Sequence, residues 1–146
     1  MVTPLYAIPA SLVPPASNAS LLYHQNRVAE TVAFCQKELA LLETQIPAKS
    51  VKLPQQDEPA SAPYQYFVLT RILVNALAEL ERWKAAKEVM GRYRVHFPRD
   101  PWGFSAGADV TRRDPEVKDR SAVRRAAELL EREAKRLEAS ASSKAK

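Results

Sequence analysis

Eleven prolines divide this 146-residue chain into stretches that can form long helices and stretches that cannot. They lie near the N-terminus, within residues 47–63, around residues 98–101 and at residue 115. Proline has no backbone N–H and clashes with the preceding helical turn, so regular helices are confined to the stretches between these groups. Only three glycines are present, whereas strand-rich small domains need many glycine-containing turns. The sequence therefore predicts an all-α fold.

The prolines also suggest how the chain is organised. Residues 1–17 are predicted to form an extended, proline-rich arm. Residues 18–113 are predicted to form a small helical domain with a proline-rich linker at 47–63. Residues 114–146 are predicted to be a charged C-terminal helix and tail, with the helix projecting from the domain.

Apolar residues recur at helical spacing in the proline-free stretches. A first helix is predicted over residues 18–46 and a second over residues 64–83. Residues 84–97 are predicted to continue as helix, with a turn near Glu81-Arg82 as one option. Residues 98–113 are predicted to be a loop, because prolines and two glycines interrupt them. The apolar face of the first helix is formed by Val28, Val32, Cys35, Leu39, Leu42 and Ile46.

The last helix is predicted to begin at Asp114, a good N-cap that is followed by Pro115. Its apolar stripe is narrow and contains several alanines, and its other faces are charged. Such a helix either projects into solvent or packs weakly on a long partner.

The N-terminal arm is unusual because it is apolar. Flexible linkers are rich in serine, glycine or charge, whereas an apolar extended segment needs a groove on this protein or on a neighbour. We therefore predict that the arm contacts a partner protein. The side chains expected to make this contact are Leu5, Tyr6, Ile8, Leu12 and Val13.

Positive charge is concentrated in the second half of the chain. The net charge is +5, and residues 1–73 contribute none of it. Clustered cations contact RNA phosphates or acidic partners, but they also occur on ordinary solvated helices. Aromatic side chains such as Trp83 and Tyr93 are interleaved with these cations. Such rings can stack on RNA bases, but we favour a position in the protein core. The candidate contact residues are Arg82, Lys84, Lys87, Arg92, Arg94, Arg99, Arg112, Arg113, Arg124 and Arg125.

Residues 70–98 resemble a single degenerate tetratricopeptide repeat, a helical hairpin of about 34 residues. The resemblance depends on Leu73, Leu77, Leu80, Ala86, Met90 and the pair Phe97-Pro98. Val74 and Tyr93 depart from the usual pattern, and no second copy is visible. The resemblance implies protein–protein binding without catalysis. An antiparallel helical hairpin of another kind fits the same residues.

No pattern points to catalysis, a cofactor or a metal. His24 and His96 are far apart, and Gly103 and Gly107 do not form a phosphate-binding loop. Cys35 is the only cysteine and lies within an apolar stripe, which indicates a small core residue. We therefore expect no enzymatic activity, no cofactor and no metal site.

These features lead to two functional hypotheses. The first is a non-catalytic accessory or structural subunit of a large assembly that binds other protein subunits. The alternative is an RNA-contacting component of a ribonucleoprotein, such as a mitochondrial ribosome, that uses the basic region 82–125. No apolar run is long enough to span a membrane. A single cysteine gives no sign of an oxidising compartment, so we expect an intracellular protein. Residues 1–29 lack acidic side chains, which makes a mitochondrial location an option beside the cytoplasm. A presequence that has already been removed and an internal signal remain equal alternatives.

Overall fold

The structure, a computed structural model, describes residues 5–9 and 11–144. Six helices lie in this part of the chain: α1 (Ala16–His24), α2 (Val28–Glu43), α3 (Ala62–Glu79), α4 (Trp83–His96), α5 (Pro101–Arg113) and α6 (Arg120–Lys144). No strand occurs among these residues, and the predicted all-α class is confirmed. Each helix packs against the next one along the chain, and α1 also packs against α3.

Helix α3 is the centre of the fold. The Ser61 hydroxyl caps its start by accepting the Tyr64 N–H at 3.3 Å, and Pro63 lies in its first turn. Nearly every side of α3 is buried, because α1, α2 and α4 pack around it. This burial fits a helix whose sequence is apolar on nearly every side.

The single helix predicted over residues 18–46 is wrong, because the chain forms α1 and α2 there. Between them, Asn26 has a φ of 60° and the Arg27 N–H donates to the Leu22 carbonyl at 3.1 Å. This closure is a Schellman motif, and asparagine tolerates its left-handed position better than most residues. Residues 24–27 are all polar, so no apolar side chain at this point is available to hold a continuous helix in the core.

The same closure joins α3 to α4. The Arg82 N–H donates to the Leu77 carbonyl at 2.9 Å, and Glu81 has a φ of 57°. This short turn makes the two helices an antiparallel hairpin in which Ala86 and Met90 are fully buried. The hairpin is observed, and its resemblance to a tetratricopeptide repeat stays a prediction.

The loop predicted over residues 98–113 is also wrong, because most of this segment is helix α5. Asp100 caps α5 by accepting the Trp102 N–H at 3.1 Å, and Pro101 is its first residue. Gly103 and Gly107 are buried one turn apart and face Arg94 of α4. These glycines therefore do not interrupt a helix. They allow α5 to approach α4 closely.

The last helix begins later than predicted. Asp114 and Pro115 lie in a turn, and the Asp114 carboxylate accepts the Glu116 N–H at 2.9 Å. The observed cap is Asp119, which accepts the Ala122 N–H at 3.1 Å and precedes the start of α6 at Arg120.

Helix α6 does not project freely, which corrects another prediction. It lies antiparallel to α5 and buries Val123, Ala127, Ala134 and Leu137. Within the described chain, α5 is the one helix that α6 contacts. Because α6 has 25 residues and α5 has 13, α6 extends beyond its neighbour.

The linker between α2 and α3 caps the end of α4. The backbone N–H groups of Lys49 and Ser50 donate to the carbonyls of Val95 and His96, each at 2.8 Å. These are carbonyls of the last helical turn, which have no partner within their own helix. The linker therefore crosses the bundle and stabilises the hairpin.

Two helical glycines provide a matched test of the close packing between α4 and α5. A Cβ atom at Gly103 would lie 2.9 Å from Cδ1 of the fully buried Tyr93, whereas one at Gly91 would meet nothing nearer than 3.9 Å. We expect Gly91→Ala to raise the free energy of unfolding by about 0.5–1 kcal/mol through helix propensity. Gly103→Ala should lower it, because overpacking costs about 1–3 kcal/mol. Urea denaturation measures both changes, and equal stabilisation by the two substitutions would contradict the close approach.

Candidate functional site

The groove that holds the N-terminal arm lies on this chain. The Tyr6 N–H donates to Asn75 Oδ1 at 2.7 Å, and Asn75 Nδ2 donates back to the Tyr6 carbonyl at 2.8 Å. The Tyr6 hydroxyl donates to the Ala106 carbonyl at 3.2 Å. Leu5, Tyr6, Ile8 and Leu12 pack against the core, and Val13 is half-buried beside them. Residues 1–4 and 10 of the arm lie outside the described residues. A partner contact through the exposed parts of these side chains stays a prediction.

Four of the ten candidate cations are held by other groups of the chain. Lys87 Nζ lies 2.6 Å from Asp114 Oδ2, and Arg92 Nη2 lies 2.5 Å from Glu43 Oε2. Arg94 Nη1 donates to the Gly103 carbonyl at 3.1 Å, and Arg112 is paired with Glu131. The other six are exposed and form no ion pair within the described part of the chain: Arg82, Lys84, Arg99, Arg113, Arg124 and Arg125.

Arg94 is the cation least suited to bind an external phosphate. It is half-buried against the glycine face of α5, and its guanidinium carbon lies 5.8 Å from the ring centroid of Phe104. Burial lowers its pKa from the ordinary value, since the charged form loses hydration. Arg94 therefore holds α4 and α5 together.

The fold groups the candidate cations differently from their order in the sequence. The ion pair between Lys87 and Asp114 brings the start of α4 to the end of α5, where α6 also begins. We call this surface the basic end; its exposed cations are Arg82, Lys84, Arg113, Lys118 and Arg124. Arg92 and Arg99 lie toward the opposite end of α4. Acidic residues are also present at the basic end, since Glu88 and Glu116 line one depression together with Arg82 and Lys84.

The aromatic side chains of this region belong mainly to the core. Tyr93 and Phe97 are fully buried, with ring centroids 5.1 Å apart. Trp102 is half-buried and lies edge-on to Tyr93 at 5.0 Å, and Trp83 is half-buried as well. Tyr93 and Phe97 therefore offer no face on which a base could stack, and the core interpretation is confirmed for them.

The cysteine and the histidines are separated. Cys35 is fully buried, and burial raises the pKa of its thiol to about 12, so the thiol stays protonated at neutral pH. His24 is exposed on α1 and bonds to Ser20 one turn earlier. Among the described residues, no three potential metal-binding side chains come together.

Sequence reasoning missed the polar side chains on α3. Gln65 accepts the Ala16 N–H at 2.9 Å and donates to the Pro59 carbonyl at 2.7 Å. Asn75 holds the arm, and Arg71 lies among aromatic rings beneath it. The sequence did contain a signal for these residues, because each is a polar side chain within a helix that is otherwise apolar on nearly every side.

No family of known proteins matches this chain, and no curated protein or solved structure is similar to it. No helix in the described part of the chain has the length and hydropathy needed to cross a bilayer.

The ion pair at the basic end should make stability depend on pH. Lys87 and the Glu116 N–H hold the pKa of the buried Asp114 carboxyl below its usual value of 3.8. Because the folded-state pKa is depressed, the stabilisation is complete above the unfolded-state pKa and is lost as pH falls through the folded value. We expect Asp114→Asn to cost about 1–3 kcal/mol at neutral pH.

Urea denaturation of both proteins at neutral pH and below about pH 3 measures this difference, which should shrink in acid. Asp57→Asn is the matched control, since Asp57 is exposed in the linker and forms no ion pair within the described residues. A cost for Asp114→Asn that is independent of pH would contradict the role of the ion pair.

Proposed function

We propose that this protein is a non-catalytic helical subunit of a larger macromolecular assembly and that it binds neighbouring proteins. The observation that supports this best is the outer face of α6. Leu129 is 64% exposed there, one helical turn from Arg125 on one side and Arg132 on the other. The opposite face of the same helix is already packed on α5. We call Arg125, Leu129 and Arg132 the α6 face.

The α6 face has the composition of a protein-binding surface. Interfaces commonly have an apolar centre with polar groups around it, and arginine is enriched in them. An arginine stem covers apolar surface while its guanidinium can bind a carboxylate with two parallel hydrogen bonds. We infer that the α6 face binds an acidic, partly apolar surface of a neighbouring subunit.

The arm contributes a second proposed contact. Its backbone is fixed by Asn75, while Ile8 and Val13 remain half-exposed along the bundle. An ordered apolar segment can bind a partner without a further loss of conformational entropy.

We place the assembly inside the cell, in the mitochondrion or the cytoplasm. The N-terminal region without acidic residues fits the mitochondrion, and the single buried thiol fits both compartments.

Substitutions of two exposed leucines test the α6 face. Leu129→Asp places a carboxylate between two arginines and removes the apolar centre, so we expect loss of the partner subunits that co-purify with the full-length protein. Leu21→Asp is the matched control, because Leu21 is 58% exposed on α1, which does not contact α6. Quantitative mass spectrometry of the purified complexes measures retention. Equal retention by both variants and the parent protein would exclude the α6 face.

The basic end supports RNA binding as the second candidate function. Arg82, Lys84 and Arg113 are exposed at this end, and cations that neutralise phosphates make binding strongly dependent on salt. A protein interface with an apolar centre depends on salt much less. The salt dependence of binding therefore distinguishes the two functions.

A fluorescein-labelled, single-stranded RNA of mixed sequence serves as the probe. If the basic end binds RNA, replacing Arg82, Lys84 and Arg113 by glutamine should flatten the plot of log K against log salt by about 0.7 for each phosphate that the protein no longer neutralises. The control replaces the exposed Lys37, Lys49 and Lys135 by glutamine and removes the same charge elsewhere. If both triple variants change the slope equally, the basic end has no specific role. If the parent protein binds no RNA at low salt, the ribonucleoprotein hypothesis fails.

A further inference from the structure

A cleft of about 450 Å³ lies where the arm and the linker cross α3. The arm provides Ile8, the linker provides Pro54, and α3 provides Phe67 and Arg71. Trp102, at the start of α5, lines the cleft from the other side. This volume lies within the range of small-ligand sites, which are mostly apolar with a few polar groups.

Arg71 lines this cleft without a carboxylate partner among the described residues. Its guanidinium carbon lies 5.0 Å from the ring centroid of Phe67, 5.4 Å from that of Trp102 and 5.8 Å from that of Tyr6. Its Nε is enclosed and finds no hydrogen-bond acceptor among the described residues, and no carboxylate there forms an ion pair with it. Half-burial without a directly paired anion is costly for a guanidinium, and ring faces offset only part of that cost.

Asp100 also lines the cleft but is already engaged. One of its carboxylate oxygens accepts the Trp102 N–H at 3.1 Å, and the other accepts the Tyr93 hydroxyl. Its negative charge therefore stays in the cleft without pairing with Arg71. A dianionic phosphate would be repelled by this charge, whereas a singly charged carboxylate on the Arg71 side would be repelled less.

We propose that this cleft binds a carboxylate carried on a flat apolar body, with Arg71 as its cationic partner. Phe67 and Trp102 supply the apolar walls, and the Tyr64 hydroxyl, which forms no hydrogen bond within the described residues, supplies a second donor. The carboxylate belongs to a free small molecule or to the C-terminus of a peptide. This site shares no residue with the α6 face or with the basic end. If the cleft binds no carboxylate, the proposed function is unaffected, and if the proposed function fails, the cleft proposal is unaffected.

Comparing substitutions of Arg71 and Arg94 distinguishes a ligand-binding role from a structural role. Both are half-buried, and burial lowers the pKa of both. Arg94 donates to the Gly103 carbonyl, whereas Arg71 makes no hydrogen bond to another described residue. Replacing Arg71 by methionine removes the desolvation cost of its charge and keeps much of its apolar stem. We therefore expect Arg71→Met to leave the unfolding midpoint unchanged or to raise it, and Arg94→Met to lower it.

The binding test uses phenylacetate and its uncharged amide, phenylacetamide, with the full-length protein. The two tryptophan indole N–H signals in the NMR spectrum are assigned with Trp83→Phe, and the Trp102 signal reports occupancy of the cleft. We expect phenylacetate to bind at least about tenfold more tightly than phenylacetamide, since a charged hydrogen bond contributes more than one decade of affinity. Arg71→Met should abolish this preference, and Arg71→Lys should retain part of it.

A second pair of probes identifies the source of the carboxylate. A tripeptide with a blocked N-terminus and a C-terminal phenylalanine is compared with its C-terminal amide. If the tripeptide acid binds more tightly than phenylacetate, the natural carboxylate is a peptide C-terminus. If phenylacetate binds more tightly, it is a small molecule. Equal affinity for acid and amide in the parent protein would overturn the proposal. So would unchanged binding by Arg71→Met, a loss of stability in Arg71→Met as large as in Arg94→Met, or no response of the Trp102 signal to any probe.

Discussion

Two amide side chains connect the central helix to segments that lack helical hydrogen bonds of their own. Gln65 accepts the Ala16 N–H and donates to the Val13 carbonyl, so it fixes the end of the arm and the start of α1 together. Asn75 bonds to Tyr6 in both directions, as a neighbouring strand would. Buried backbone groups must find partners, and an entirely apolar α3 could not provide them. The position of the arm, and with it one wall of the Arg71 cleft, depends on these two amides.

The fold was predictable where packing uses large apolar side chains. Helices α2 and α3 present aliphatic side chains at helical spacing, and α4 presents Ala86, Met90 and Tyr93 in the same way, so their core faces appear directly in the sequence. Helix α5 presents Gly103, Ala106, Gly107 and Val110 instead. A glycine in close helix contact cannot be distinguished by its sequence from a glycine in a loop. What distinguishes it here is Arg94, which crosses from α4, and that contact exists only in the folded chain.

The candidate site was less predictable than the fold, because neighbouring cations in the sequence have different partners in space. Lys87 and Arg92 are five residues apart, yet one pairs with Asp114 and the other with Glu43. Composition counts charges but does not show which of them are already neutralised. Arg71 shows the opposite case, since it belongs to no basic cluster and yet lies among three aromatic rings, with no ion pair to a residue that the structure describes.

Helix α6 packs against fewer helices than the others do, because within the described residues it contacts α5 alone. Its buried side chains are mostly small, and Arg120 ties its first turn to the carbonyls of Arg112 and Asp114. Native proteins open locally in cooperative units, and units with few buried contacts open at the lowest free energy. Because α6 packs on one helix whereas α3 packs on three, we expect the backbone amides of α6 to exchange with solvent more readily than those of α3.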